Sequence, residues 1–231
     1  MDFVIVNGEN SAGGRGLTPK LAKELFDAGA DVITMGDHVW DQRELVPYLD
    51  QEPRILRPAN IGIDCPGHGH ISVDTAFGSI TVLQVIGRVF MHPASCPFAA
   101  ADDILKKVRH LGGVVMAEIH AEATSEKIAF GRHLEGRAAC VVGTHTHVQT
   151  ADDRILPKGT AYLSDLGMTG PVNSVLGRAV DPVLSKFKTG MPTKFDIASG
   201  EIALQGALVE VDMQSGKAKS ITRINEAAGT T

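Results

Sequence analysis

Short β-branched runs that alternate with helical stretches, and that end again and again in polar clusters, restrict this chain more than any other feature. Phe3-Val4-Ile5-Val6, Val32-Ile33-Thr34, Val114 to Ile119 and Ala139 to Val142 read as buried strands. Their alternation with helices is the pattern of a layered α/β protein. The clusters near their ends are Asn7-Gly8-Glu9-Asn10, Gly36-Asp37-His38, Glu118-Ile119-His120 and Gly143-Thr144-His145-Thr146-His147. In open α/β sheets the ligand crevice lies beyond the carboxyl ends of the strands, where side chains from separate loops converge. These strand ends therefore describe one candidate site.

Local signals fill in the order of elements. Thr18 caps a helix with Pro19 at its first position and Gly29 at its end. Asp41 followed by Glu44 predicts a capping-box start for a helix reaching toward Leu49. Residues 70 to 85 read as two strands about a turn at Gly78, an antiparallel insertion rather than another strand-helix unit. Helices are expected from about Ala99 to Arg109 and from near Glu122, with strands in the tail at Ala203 to Val211 and Ser220 to Ile224. With no repeat, low-complexity tract or Pro-rich linker, residues 1–231 are expected to form a single domain.

Composition narrows the function. Of 231 residues 43% are hydrophobic and 21% charged, the balance of a globular chain rather than a disordered one. A net charge of −5 without a long Lys/Arg block argues against a stable nucleic-acid partner or a membrane surface and leaves small anionic substrates. No apolar run approaches the ~20 residues of a membrane span, and no signal peptide is evident, so a cytoplasmic protein is expected. Cys65, Cys96 and Cys140 lack CxxC spacing and point neither to a disulfide framework nor to a thiolate zinc site.

The candidate ligands are Glu9, Asn10, Asp37, His120, His145 and His147, oxygen and imidazole without thiolate, a set suited to Mn, Fe or Zn. His145 and His147, two apart, would project to one side of an extended segment, with Gly143 allowing a close approach. So many ligands exceed the needs of one tetrahedral zinc. Two metals ~3.5–4 Å apart, bridged by a carboxylate, would use them all and activate water against a phosphoester. His68 and His70 read as surface-loop residues, His110 as a helix C-terminal residue favoured by the dipole, and His92 and His133 as solvent-facing. Gly13-Gly14-Arg15-Gly16 lacks the spacing of a phosphate or dinucleotide loop and reads as a flexible rim with Arg15 a candidate phosphate contact. Trp40 reads as a loop anchor, with a substrate platform the less favoured alternative.

Gly8-Glu9-Asn10, the stretch from Thr34 to Asp41, Arg57-Pro58-Ala59-Asn60, the stretch from His120 to Lys127, the stretch from Gly143 to Thr150 and Asp165-Leu166-Gly167-Met168-Thr169-Gly170 occur in order over nearly the whole chain. Together they resemble the YmdB-like metallophosphoesterases. The resemblance implies a calcineurin-like α/β sandwich, two central β-sheets flanked by helices, and a bacterial phosphodiesterase of cyclic nucleotides, notably 2′,3′-cyclic ones. It implies two divalent or trivalent metal ions, Fe, Mn or Zn. Glu9 would bridge them, Asn10 and His147 would belong to the first, and Asp37, His120 and His145 would hold the second. His38 would protonate the leaving oxygen or stabilise charge on the phosphoryl group; Asp41, three residues on, is a candidate orienting partner for His38.

Two departures from the family pattern accompany the likeness. Asp37 stands where the family usually has Asn, adding negative charge. The family also opens with a further strand ending in a metal-binding aspartate and a helix, so the resemblance implies a chain that starts at the family's internal strand. The first metal would then keep Glu9, Asn10 and His147. A phosphomonoesterase with the same metals, or a catalytically weak one-metal regulatory protein, is the alternative expectation, and a homo-oligomer is expected on general grounds.

Overall fold

The computed structural model describes residues 1–227. It begins with a parallel three-stranded sheet, β1 (Ile5–Asn7), β2 (Val32–Thr34) and β3 (Ile55–Leu56), in that order. Between the first two strands lies α1 (Pro19–Asp27), where Pro19 needs no amide partner and the Thr18 hydroxyl accepts from Leu21 N at 3.2 Å. Leu17, Ala22, Ile33, Met35, Val39 and Leu45 pack between this sheet and its helices.

A six-stranded sheet follows, in the order β4-β5-β6-β7-β9-β8. Its strands are β4 (His70–Thr75), β5 (Gly78–Ile86), β6 (Val114–His120), β7 (Cys140–Thr144), β8 (Arg154–Ile155) and β9 (Ala161–Leu163). Helices α3 (Pro97–Val108) and α4 (Thr124–Leu134) cover one face through Ala101, Ile104, Phe130 and Leu134 against Leu83, Val85, Ala117 and Val141. The other face meets the first sheet, where Val32 and Leu56 pack on Ile80, Val82, Val114 and Ala139. The result is helix, sheet, sheet, helix in layers. A third sheet, absent from the expectation of two, combines β10 (Gly170–Pro171) with the long hairpin β11 (Ile202–Asp212) and β12 (Lys217–Ala227), after helix α5 (Val180–Thr189). Val209 and Ile221 of this hairpin pack on Cys140 and Ala161.

The expected insertion proves to be part of the frame. β4 and β5 form the antiparallel pair read from the sequence, but β5 continues in parallel with β6 and is followed by α3, so it is a full strand-helix unit. The helix expected from Asp41 also differs. Residues 38–44 form turns, and only α2 (Leu45–Tyr48) is helical, because the Asp41 carboxylate is engaged by Arg15 and His38 instead of capping a helix. Strands β3, β8, β9 and β10, all three residues or shorter, and α5 carried no readable signal. Among the described residues no helix is long and apolar enough to cross a membrane.

Period-two alternation places Val114, Met116, Glu118 and His120 on the inner face of β6. The first two belong to the apolar layer between the sheets. Glu118, 4% exposed, accepts hydrogen bonds from Asn7 Nδ2 (2.8 Å), Thr34 Oγ1 (2.6 Å), Gln84 Nε2 (3.2 Å) and Thr144 Oγ1 (2.8 Å). Burial pushes its carboxyl above the ordinary value, and these donors oppose the shift, Thr34 foremost. The donors come from β1, β2, β5 and β7, so one side chain joins both sheets at their carboxyl edge. Glu118→Met fills the space but strands the buried donors of Thr34, Gln84 and Thr144; it is expected to lower unfolding free energy by about 3 kcal/mol or more. A urea unfolding midpoint within error of wild type would contradict this role.

Candidate metal centre

The polar strand ends converge on His120, which is fully buried. Its Nε2 lies 3.0 Å from Glu9 Oε2, 3.0 Å from Asp37 Oδ1 and 3.0 Å from His145 Nδ1. His145 Nδ1 is in turn 3.5 Å from Asp37 Oδ1. Glu9 is 2% exposed, and its Oε1 accepts from His38 N at 2.9 Å. The approach depends on Gly36, where any Cβ would collide with Glu9 Oε1 and the His120 ring.

Hydrogen bonding assigns the tautomer of His120. Thr144 has one hydroxyl proton and gives it to Glu118 Oε1, so His120 Nδ1, 2.9 Å from Thr144 Oγ1, must be the donor there. Nε2 is left facing two carboxylates and a second imidazole. Burial disfavours the charged ring, yet the Glu9 and Asp37 carboxylates raise His120 to about 10. Burial likewise pushes Asp37 up, but the hydrogen bonds of His120 and His145 hold it well below the usual carboxylate range. Basic atoms packed this closely need a cation among them, either a proton or a metal ion. The second nitrogen of His145 is already oriented, with Nε2 3.2 Å from Glu122 Oε2, the outer carboxylate that metal-binding histidines commonly have.

Asn10 and His147 form the other part of the cluster. The Asn10 side-chain nitrogen lies 3.1 Å from His147 Nε2, and burial lowers the His147 pKa, favouring the neutral ring that ligates metals. Among the described residues His147 Nδ1 is buried without a hydrogen-bond partner, an unclaimed ligand position. The donor set and this orphaned nitrogen fit metal ions of the Mn, Fe or Zn type. Asp37, His120 and His145 place their ligand atoms together, as do Glu9, Asp37 and His38.

The two loop histidines do not share one side of an extended segment. β7 stops at Thr144, and both His145 (φ 94°) and His147 (φ 62°) adopt left-handed backbone. Such strain in non-glycine residues persists only where the surroundings impose it. Here Asp165 Oδ2 accepts from Thr146 N (3.1 Å), Thr146 Oγ1 (2.7 Å) and Lys127 Nζ (2.7 Å), with Asp165 and Lys127 both buried. Gly143 is essential to the same turn, since a Cβ there would overlap the Ser164 carbonyl. His145 and His147 are thereby sent to different partners.

At the rim, Asp41 Oδ2 accepts from Arg15 Nε at 2.8 Å and lies 3.1 Å from His38 Nδ1. The rim is tied down rather than flexible: Arg178 donates to Gly14 O at 2.8 Å, and Ala12 N donates to Gly16 O at 2.9 Å. His133, expected in solvent, is half-buried with Nε2 2.9 Å from Asp102 Oδ1. His92 is exposed as expected but lines a cleft of about 220 Å³ with Asp37, His145, Phe90 and Met91. The sequence placed Glu118, Thr144, Lys127 and Asp165 in its polar clusters and family blocks but gave them no role. The first two were findable as polar residues sharing an inner strand face with, or lying beside, the expected ligands.

The family described as YmdB-like protein matches residues 1–224. The chain is 46% identical over 222 residues to a Bacillus subtilis 2′,3′-cyclic-nucleotide 2′-phosphodiesterase, covering 96% of this chain and 84% of that one. Its fold is similar to the crystal structure of a hypothetical protein from Thermus thermophilus, with a TM-score of 0.92, 38% identity, and 99% and 89% of the two chains covered. A structure described as a novel phosphatase from Mycoplasma pneumoniae gives a TM-score of 0.92 at 33% identity, covering 98% and 82%.

Metal binding requires a deprotonated Nε2 on His120, whereas the metal-free protein at pH 7 keeps a proton there because its pKa is raised to about 10. Adding Mn²⁺ or Zn²⁺ to weakly buffered metal-free protein at pH 7 is therefore expected to release about one proton with the first equivalent bound. Gly36→Ala is expected to abolish both binding and release. Tight binding with no proton release in a pH-stat titration would contradict the displacement.

Proposed function

Because the chain belongs to the YmdB-like family, we propose that it is a metal-dependent phosphodiesterase that opens 2′,3′-cyclic nucleotides. The observation that carries this reading is the convergence of Glu9, Asp37 and His145 on His120 Nε2, each at 3.0 Å, in a chain 46% identical to a cyclic-nucleotide phosphodiesterase. Glu9 would bridge two metal ions, Asn10 and His147 would complete one site, and Asp37, His120 and His145 the other. Such ions neutralise charge growing on the phosphoryl oxygens and lower the pKa of water toward neutrality.

The chain's own residues supply the remaining steps. His38 Nδ1 is held by Asp41 Oδ2 at 3.1 Å, which orients the ring and leaves Nε2 as the nitrogen available to substrate. As the P–O bond to the leaving oxygen breaks, His38 passes the proton on Nε2 to that oxygen, the ribose O2′ in a 2′-phosphodiesterase. Asp41 also accepts from Arg15 Nε, which keeps the guanidinium at the rim, where its terminal nitrogens can meet a phosphate oxygen. Asp37, in place of the family's usual Asn, would hold a metal ion with one more negative charge, which would strengthen binding and weaken that ion as a Lewis acid.

The M. pneumoniae structure described as a phosphatase favours a second reading, hydrolysis of phosphomonoesters by the same cluster. Side-by-side assays decide between them. The metal-loaded protein is expected to open 2′,3′-cyclic AMP faster than it dephosphorylates adenosine 3′-monophosphate, and the reverse order would establish the monoesterase. His38→Ala is expected to lower kcat on 2′,3′-cyclic AMP by about 10²–10⁴-fold, and far less on bis(p-nitrophenyl) phosphate, whose leaving group needs no proton. Equal losses on both esters would remove His38 from the acid role.

A further inference from the structure

One aromatic ring beside the cluster has no intramolecular use. Phe90 is 89% exposed and has a φ of 61°, a left-handed conformation that a bulky side chain rarely adopts. Other rings are also exposed, including Phe187 at 80%, and single exposed apolar residues are ordinary. Phe90 differs in three respects. It lines the cleft of about 220 Å³ that Asp37 and His145 also line, so it faces the space above the candidate ligands. Its backbone is strained, and strain in a folded chain gathers at ligand clamps and active sites.

Its loop is also braced, which is the third respect. The Glu126 carboxylate, 8% exposed, accepts from Arg88 N at 3.0 Å and from Val89 N at 3.2 Å. Gly87 N donates to the carbonyl of His120 at 2.9 Å, so the loop hangs from the same residue that centres the cluster. Glycine is required at 87, because a Cβ would sit 2.5 Å from Glu126 Oε2 and 2.6 Å from Ala121 Cβ. A buried carboxylate thus holds rigid a loop whose tip presents a ring to the cleft instead of to the core. Trp40, two residues after His38, does not line this cleft.

We propose that Phe90 is a stacking platform for the nucleobase of a cyclic nucleotide whose phosphate lies at the Glu9, Asp37, His120 and His145 cluster. The inference rests on the phosphodiesterase reading and adds the base subsite to it. Every base offers a π-face, so a single ring recognises nucleotides as a class rather than one base. Met91 and His92 complete the wall of the cleft. The ring adds binding and leaves bond breaking to the cluster and His38, so its contribution belongs in KM.

The test compares metal-loaded wild type, Phe90→Ala and Phe90→Trp on 2′,3′-cyclic AMP and on glycerol 1,2-cyclic phosphate, a five-membered cyclic diester without a base. Phe90→Ala is expected to lower the preference for the nucleotide over the glycerol ester, as the ratio of kcat/KM values, by about 5- to 150-fold, mainly through KM. Phe90→Trp is expected to restore it. A ratio unchanged in Phe90→Ala, or wild type with no preference for the nucleotide, overturns the subsite while the diesterase reading stands. Failure of wild type to cleave either ester overturns the diesterase reading and the subsite with it.

Discussion

Glu118 gathers hydrogen bonds from both sheets at the edge where their strands turn polar. Two sheets packed face to face share an apolar layer, here Val32, Leu56, Val82 and Val114, and that layer has to end before solvent and ligand begin. Asn7, Thr34, Gln84 and Thr144 mark its end, and each gives a proton to one carboxylate. A buried polar network of this kind is tolerable only when every member is satisfied, which leaves little freedom in how the sheets sit on each other. Since Thr144 spends its only proton on Glu118, the same network fixes the direction of His120. The cluster therefore inherits its geometry from the packing of the sheets.

Two further buried acids act on the loops around the cluster. Asp165 takes the proton of Thr146 N and sends the flanking His145 and His147 to separate partners, and Glu126 takes those of Arg88 N and Val89 N beneath Phe90. All three loop residues, His145, His147 and Phe90, have positive φ. Unfavourable backbone states are held there by charge-assisted hydrogen bonds from rigid elements, as expected for a preorganised site. Lys127, on α4, neutralises Asp165 at 2.7 Å and keeps that acid bearable in the interior.

Much of the frame was legible because long strands carry an alternating pattern and helices carry caps. β5, β6 and β11 were found near their true ends, β12 only in its central part, and Thr18 and Pro19 marked the start of α1. β3, β8, β9 and β10 were not, since two or three residues cannot show a period, whereas the equally short β2 was readable from its β-branched run Val32-Ile33-Thr34. The capping-box reading of Asp41 failed for a different reason: its carboxylate found an arginine and a histidine that a local motif does not see. The parallel pairing of β5 with β6 was equally out of reach, because pairing direction is decided by the crossover through α3 rather than by the strand's own residues.

The sequence by itself determined which chemistry is present: carboxylates, amides and imidazoles at successive strand ends, no thiolate among them, and the ordered blocks of one family. Those follow from residue type and local spacing. Tertiary structure alone decided that Glu9, Asp37 and His145 meet His120 at 3.0 Å, that His145 and His147 part company, and that Phe90 rather than Trp40 lines the cleft. These depend on hydrogen bonds between residues far apart in the chain, such as Asn7 with Glu118, and folding closes such contacts only when the sheets pack.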